Sequence, residues 1–143
     1  MQIQPYLFYN GACDEAIAFY REALGAQELF KMRFKDAPPD PARPLAPELA
    51  EKVMHATLQI GDAQIMMSDG GCMTESNRFA GFGVSLTGAD TAAAERCFNA
   101  LAKGGQVTMP FQKTFWSPGF GMLTDRFGVP WMVSAPPQES AAG

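Results

Sequence analysis

Between residues 54 and 60 the chain reads Met-His-Ala-Thr-Leu-Gln-Ile, with apolar and polar side chains alternating without a break. A period of two predicts a strand that turns Met54, Ala56, Leu58 and Ile60 to a helix layer and His55, Thr57 and Gln59 to the other side. Short runs of the same kind predict strands over 4–9, 27–34, 52–60, 63–68, 82–87, 106–111, 120–124 and 129–134. Two stretches follow a helical period instead. Residues 14–24 place Ile17, Tyr20 and Leu24 on one face, with Cys13 or Asp14 as the cap and Gly25 as the stop. Residues 90–103 place Ala94, Cys97, Phe98 and Leu101 on one face and end at Gly104-Gly105.

The punctuation fits this division. Asn10-Gly11-Ala12, Gly61-Asp62 and Asp125-Arg126-Phe127-Gly128 are turn sequences. Pro130 lacks a backbone donor, so its strand is expected at a sheet edge, or with its donor side uncovered there. Residues 36–51 carry Pro38, Pro39, Pro41, Pro44 and Pro47, which excludes a regular element. An extended arm held by few contacts is expected there, serving as a lid, as a clasp over a partner subunit, or as an ornamental loop.

The order strand, helix, strand, strand, strand thus occurs twice. Ile65-Met66-Met67-Ser68 and Trp131-Met132-Val133-Ser134 echo each other, each after a glycine-containing turn. The expected fold is α+β: paired βαβββ modules, about 1–70 and 80–135, within one domain of 1–135. A polar tail follows at 136–143.

Composition narrows the function classes. A net charge of −4 argues against a nucleic-acid partner, whose phosphates call for a basic face. No run is long enough for a membrane span, and no basic segment followed by an apolar one opens the chain, so neither a membrane partner nor a signal peptide is expected. Cys13, Cys72 and Cys97 are odd in number and widely spaced, which fits a reducing cytoplasm better than a disulfide framework. Cys13, at a helix start where the dipole lowers a thiol pKa, is a weak candidate nucleophile. Cys72 has no identifiable base, and Cys97 is expected to be buried and inert.

Several motifs add up to a resemblance. Pro5-Tyr6-Leu7, Asn10-Gly11, Ala16-Ile17-x-Phe19-Tyr20 and Gly25 resemble the vicinal oxygen chelate superfamily of glyoxalase, bleomycin-resistance and extradiol dioxygenase proteins. His55-x-x-Leu58-x-Ile60-Gly61, Ser68-Asp69, Thr114-Phe115-Trp116 and Asp125-Arg126-Phe127-Gly128-Val129-x-Trp131 are similar to its PhnB-like branch. The resemblance implies a curved mixed sheet with helices on its convex face, a symmetric homodimer, and four metal-ligand slots on the concave face. In this sequence those slots fall on Pro5, His55, Phe82 and Met132. Proline and phenylalanine carry no donor atom, and a thioether suits soft Cu(I), so no metal and no other cofactor is expected.

With Pro5, Phe82 and Met132 on the His55 side, the period-two rule adds Leu7, Val84, Met66, Ser68 and Leu123. The expected ligand-binding set is Leu7, His55, Thr57, Gln59, Met66, Ser68, Phe82, Trp116, Leu123 and Met132, mostly apolar with a few polar groups, as small-molecule sites usually are. Trp131, alternating away from Met132, is expected in the core. The functional reading is a protein that binds a small organic molecule. The alternative is a metal-independent isomerase- or lyase-like enzyme in which His55 is the catalytic acid/base, oriented by Ser68, Asp69 or Asp125. Some PhnB-like sequences are labelled 3-demethylubiquinone methyltransferases, but no glycine-rich strand-turn-helix motif for S-adenosylmethionine is present here.

Overall fold

The computed structural model describes residues 1–42, 44–70 and 79–137. Cys72 and most of the 136–143 tail lie outside the described residues. The chain divides into two compact units, Met1–Asn77 and Arg78–Gly143. Each unit holds one helix and a four-stranded mixed sheet, giving the α+β architecture of two βαβββ modules.

In the first unit the strands are β1 (Tyr6–Phe8), β2 (Gln27–Arg33), β3 (Val53–Ile60) and β4 (Ala63–Ser68), in the order β1-β4-β3-β2. β1 runs parallel to β4, and the other pairs are antiparallel. Helix α1 (Cys13–Leu24) buries Cys13, Ala16, Ile17 and Tyr20. It stops at Gly25, whose left-handed φ of 67° lets its N–H and that of Ala26 fold back onto Arg21 and Tyr20 carbonyls. Leu7, Ala56, Leu58, Ile65 and Met67 supply the buried face of the sheet. Met54 and Ile60, expected with them, are only half-buried.

The start of α1 differs from the expectation. Its N-cap is Ala12, which has no side chain to offer, so neither Cys13 nor Asp14 caps the helix. The acceptor comes from 56 residues away: Asp69 Oδ1 takes the N–H groups of Gly11 (2.8 Å) and Cys13 (2.9 Å). Its Oδ2 takes the N–H of Val53, the first residue of β3, at 2.9 Å. One buried carboxylate therefore joins the ends of α1, β3 and β4.

The proline-rich segment is closed at its base. One 3-10 turn, Phe34–Asp36, opens it and a second, Pro47–Leu49, lies near its end. Phe34 N–H donates to the Lys52 carbonyl and Lys35 N–H to that of Ala50, while Lys35 Nζ pairs with Glu51 at 2.8 Å. The arm is thus stapled at its root, and the Asp40 side chain accepts from Ala42 N–H further out.

The second unit repeats the plan with β5 (Val84–Thr87), α2 (Thr91–Ala102), β6 (Gln106–Gln112), β7 (Phe120–Thr124) and β8 (Pro130–Ser134), ordered β5-β8-β7-β6. Asp90 caps α2 by accepting from Ala93 N–H at 2.7 Å. Ala94, Phe98 and Leu101 are buried, whereas Cys97 is only half-buried. The strand carrying Pro130 is not an edge strand. It lies between β5 and β7, and Pro130 is tolerated as its first residue, one position before the ladder with β5 begins at Val84–Trp131.

Gly104 and Gly105, read together as a helix stop, do different work. Gly104 has the left-handed φ of 75°. Gly105 is required by close approach: a Cβ there would collide with the Thr124 carbonyl oxygen and sit 2.8 and 2.9 Å from backbone atoms of Asp125. Gly105→Ala is therefore expected to cost about 2–3 kcal/mol, because backbone cannot yield as a side chain does. Urea unfolding would check this, and a loss below about 1 kcal/mol would refute it.

Candidate functional site

The open face of the first sheet carries two cross-strand rows. In one, Phe30, Thr57, Met66 and Tyr6 lie side by side across β2, β3, β4 and β1. In the next, Met32 pairs with His55 and Phe8 with Ser68. The His55 ring has Tyr6 on one side (centroids 5.5 Å apart) and Phe30 on the other (5.9 Å), and Tyr6 stacks on Phe8 at 5.1 Å. Tyr6, Phe8 and Phe30 are all exposed, so the imidazole sits in an accessible aromatic surround.

Both ring nitrogens of His55 are engaged. Nδ1 lies 2.9 Å from the Tyr6 hydroxyl and Nε2 3.2 Å from Thr57 Oγ1. The Tyr6 pKa is raised, chiefly by desolvation of its hydroxyl, with the nearby Ser68 acting in the opposite direction. The expected partners Asp69 and Asp125 are committed to backbone and indole donors. Gln59 bonds to Gln64 and to the Gly61 carbonyl, further along the strand.

Tyr6, Phe8 and Phe30 were not among the expected site residues, and Leu7 was. The register decides this: Leu7 pairs with Met67, both on the buried face, so its neighbours Tyr6 and Phe8 take the His55 face. The alternation Tyr-Leu-Phe was visible in the sequence, but all three residues are apolar enough to leave the phase open.

The second sheet shows the same shift. Leu123 pairs with Trp131, and both are buried. Gly121, on their face, is so close to α2 that a Cβ would lie 2.7 Å from the Phe98 ring. Leu123 thus faces α2, and the Met132 face is completed by Met122. Trp131 is in the core as expected, its Nε1 donating to Asp125 at 2.9 Å. Phe82 lies before β5, exposed and edge-on to Phe79. Trp116 is 55% exposed and packs edge-on against Phe120, whose cross-strand partner is Ser134.

The metal slots named by the resemblance do not fit a hard divalent ion. Pro5 and Phe82 have no donor, Met132 offers only a thioether, and both His55 nitrogens are in hydrogen bonds. Among the described residues no three His, Cys, Asp or Glu side chains cluster. No described helix is long and apolar enough to cross a membrane.

Cys13 reverses the expectation of a lowered pKa. Burial pushes its thiol well up, and the carboxylates of Asp69 and Asp14 push further in the same direction. Native protein at pH 8 is expected to leave Cys13 unalkylated by iodoacetamide while denatured protein labels fully. Peptide mass mapping reads this, and native labelling of Cys13 would refute it.

The two βαβββ modules and the match of a family model over residues 2–133 place the chain in the glyoxalase/bleomycin resistance protein/dioxygenase superfamily. Among its relatives, YjdN of Escherichia coli (strain K12) is 36% identical, over 97% of this chain and 98% of that protein. The crystal structure of PA1353 from Pseudomonas aeruginosa is 42% identical with a TM-score of 0.82, covering 94% of this chain and 97% of that one. A Bacillus cereus PhnB protein, described as a putative 3-demethylubiquinone-9 3-methyltransferase, shares the fold at 22% identity and a TM-score of 0.77, covering 95% and 100% of the two chains.

Proposed function

We propose that the chain binds a small organic molecule on the open sheet face around His55, without a metal. The observation that carries this reading is an imidazole with both nitrogens hydrogen-bonded inside an exposed surround of Tyr6, Phe8 and Phe30. Such a face offers flat apolar contact and a few placed polar groups, the usual ingredients of ligand recognition. A thermal-shift screen of metabolites tests it, since a ligand of the native state raises stability by mass action. The reading predicts hits that weaken when Phe30 is replaced by alanine. Hits indifferent to Phe30→Ala and Phe8→Ala would move the site elsewhere. One tightly held metal per chain by elemental analysis would overturn the metal-free part.

A second reading keeps the same face but makes His55 an acid/base in an isomerase- or lyase-like reaction. The Tyr6 hydroxyl on Nδ1 favours it, because a fixed partner orients an imidazole for proton transfer. His55→Gln separates the two: a binder retains most of its affinity for a screened ligand, whereas an enzyme loses conversion of that ligand, followed by mass spectrometry. The exposed Phe115 and Trp116 rings support assembly as a symmetric homodimer. A monomeric mass by light scattering at micromolar concentration would count against that assembly.

A further inference from the structure

The loop that leads into α1 carries a reactive dipeptide. Asn10 and Gly11 are the central residues of a turn closed by the Ala12 N–H on the Tyr9 carbonyl at 3.1 Å. Both have left-handed φ, 53° at Asn10 and 97° at Gly11. Asn10 is the only non-glycine in that region among the described residues.

An Asn-Gly pair holds its own electrophile and nucleophile. The glycine nitrogen loses its proton to water or hydroxide and attacks the asparagine side-chain carbon. The new C–N bond closes a succinimide ring, the Cγ–Nδ2 bond breaks, and Nδ2 takes a proton from water and leaves as ammonia. Water then opens the ring at either carbonyl, giving aspartate or isoaspartate. Glycine in second place has no Cβ to hinder the attack.

In this fold the nucleophile is occupied. The Gly11 N–H donates to Oδ1 of the buried Asp69 at 2.8 Å. The amide anion that attack requires would form against a carboxylate, and like charges disfavour it. Turning the nitrogen toward Cγ would also break a hydrogen bond to a charged acceptor. The Gly11 carbonyl is held as well, by Lys52 Nζ at 2.9 Å.

We propose that Asn10-Gly11 is a masked self-modification site: Asp69 keeps it inert in the native fold, and opening of the Gly11–Asp69 bond exposes Asn10 to conversion into aspartate or isoaspartate. The conversion is also hard to reverse structurally. Asn10 Oδ1 is already buried without a hydrogen-bond partner among the described residues. A carboxylate puts a full charge there, next in sequence to the amide that Asp69 must hold, so the modified turn resists closing again.

Three measurements test this. Deamidation is far slower than opening and closing of a loop, so its native rate reads the open fraction. At pH 8, peptide mapping is expected to find Asn10 modified at least about tenfold more slowly in the native protein than in the same protein held unfolded in urea, the least that one hydrogen bond to a charged group supplies. A smaller ratio overturns the mask. Asp69→Ala should speed native modification more than Asp125→Ala, which is expected to be about as destabilising but lies in the second unit. Equal acceleration would assign the protection to overall stability and overturn the role of Asp69.

Hydrogen exchange keeps that role falsifiable in the wild type, should Asp69→Ala fail to fold. The Gly11 amide is expected to exchange at least about tenfold more slowly than in the unfolded chain, and faster exchange overturns the Asp69 mask. In Asn10→Asp, the aspartate product, the Gly11 amide is expected to lose that protection. Wild-type protection in Asn10→Asp would overturn the resistance to closing again.

Discussion

Asp69→Ala is expected to lower stability by about 3–5 kcal/mol, a large share of the ~5–15 kcal/mol typical of a folded domain. The carboxylate is almost completely buried and accepts three backbone N–H groups, from Gly11, Cys13 and Val53. Hydrogen bonds to a charged group are worth roughly 1.5–3 kcal/mol each, although three to one side chain do not add fully. Removing the acceptor also strands two donors at the start of α1, where the helix dipole favours a negative charge. Alanine can neither replace the oxygens nor admit water easily to the closed site. Asp69→Asn should fall between, since its carbonyl oxygen can still serve one side while its amide faces a donor on the other. Urea unfolding of wild type and both variants measures the ranking. The account fails if Asp69→Ala costs less than about 1 kcal/mol, or if Asn is worse than Ala.

That linchpin marks a limit of sequence reading. Capping is sought at the residue that opens a helix, and Cys13 and Asp14 stood there. Nothing local points to an aspartate at the end of β4 as the acceptor, because that partnership exists only once β1, β3 and β4 have paired. Features set by local chemistry were legible: β4 spans the expected residues 63–68, and Gly25 stops α1. The His55 face was legible as well, since Met-His-Ala-Thr-Leu-Gln-Ile fixes its own phase.

Where the phase depends on a partner strand, local pattern fails. Tyr6-Leu7-Phe8 and Gly121-Met122-Leu123 contain no strongly polar residue to mark the solvent side. Leu7 and Leu123 therefore could be assigned only through slots borrowed from a resemblance, and pairing with Met67 and Trp131 turns both inward. Tyr6, whose hydroxyl meets His55 Nδ1, was lost from the expected site by that one-residue slip. A physical clue did exist: a phenol tolerates a half-open position better than a leucine, because its hydroxyl must find a partner.

Asp125 makes the corresponding prediction for the second unit. Its Oδ1 accepts from Phe127 N–H (2.8 Å) and Val129 N–H (3.0 Å), which fixes the turn between β7 and β8. Its Oδ2 accepts from the Trp131 indole at 2.9 Å, so the same carboxylate satisfies the polar handle of a buried tryptophan. Asp125→Ala is expected to cost about 3–4 kcal/mol through the turn and the indole together. The two contributions separate in a double-mutant cycle with Trp131→Phe, which deletes the indole donor and keeps an aromatic ring. If the indole bond is one part of the total, the coupling energy between positions 125 and 131 should be about 1–2 kcal/mol, with the remainder of the Asp125→Ala loss persisting in the Trp131→Phe background. A coupling near zero would mean that the indole bond adds nothing to stability. A coupling equal to the whole Asp125→Ala loss would mean that the turn bonds contribute nothing, and that Asp125 serves only to accommodate the tryptophan.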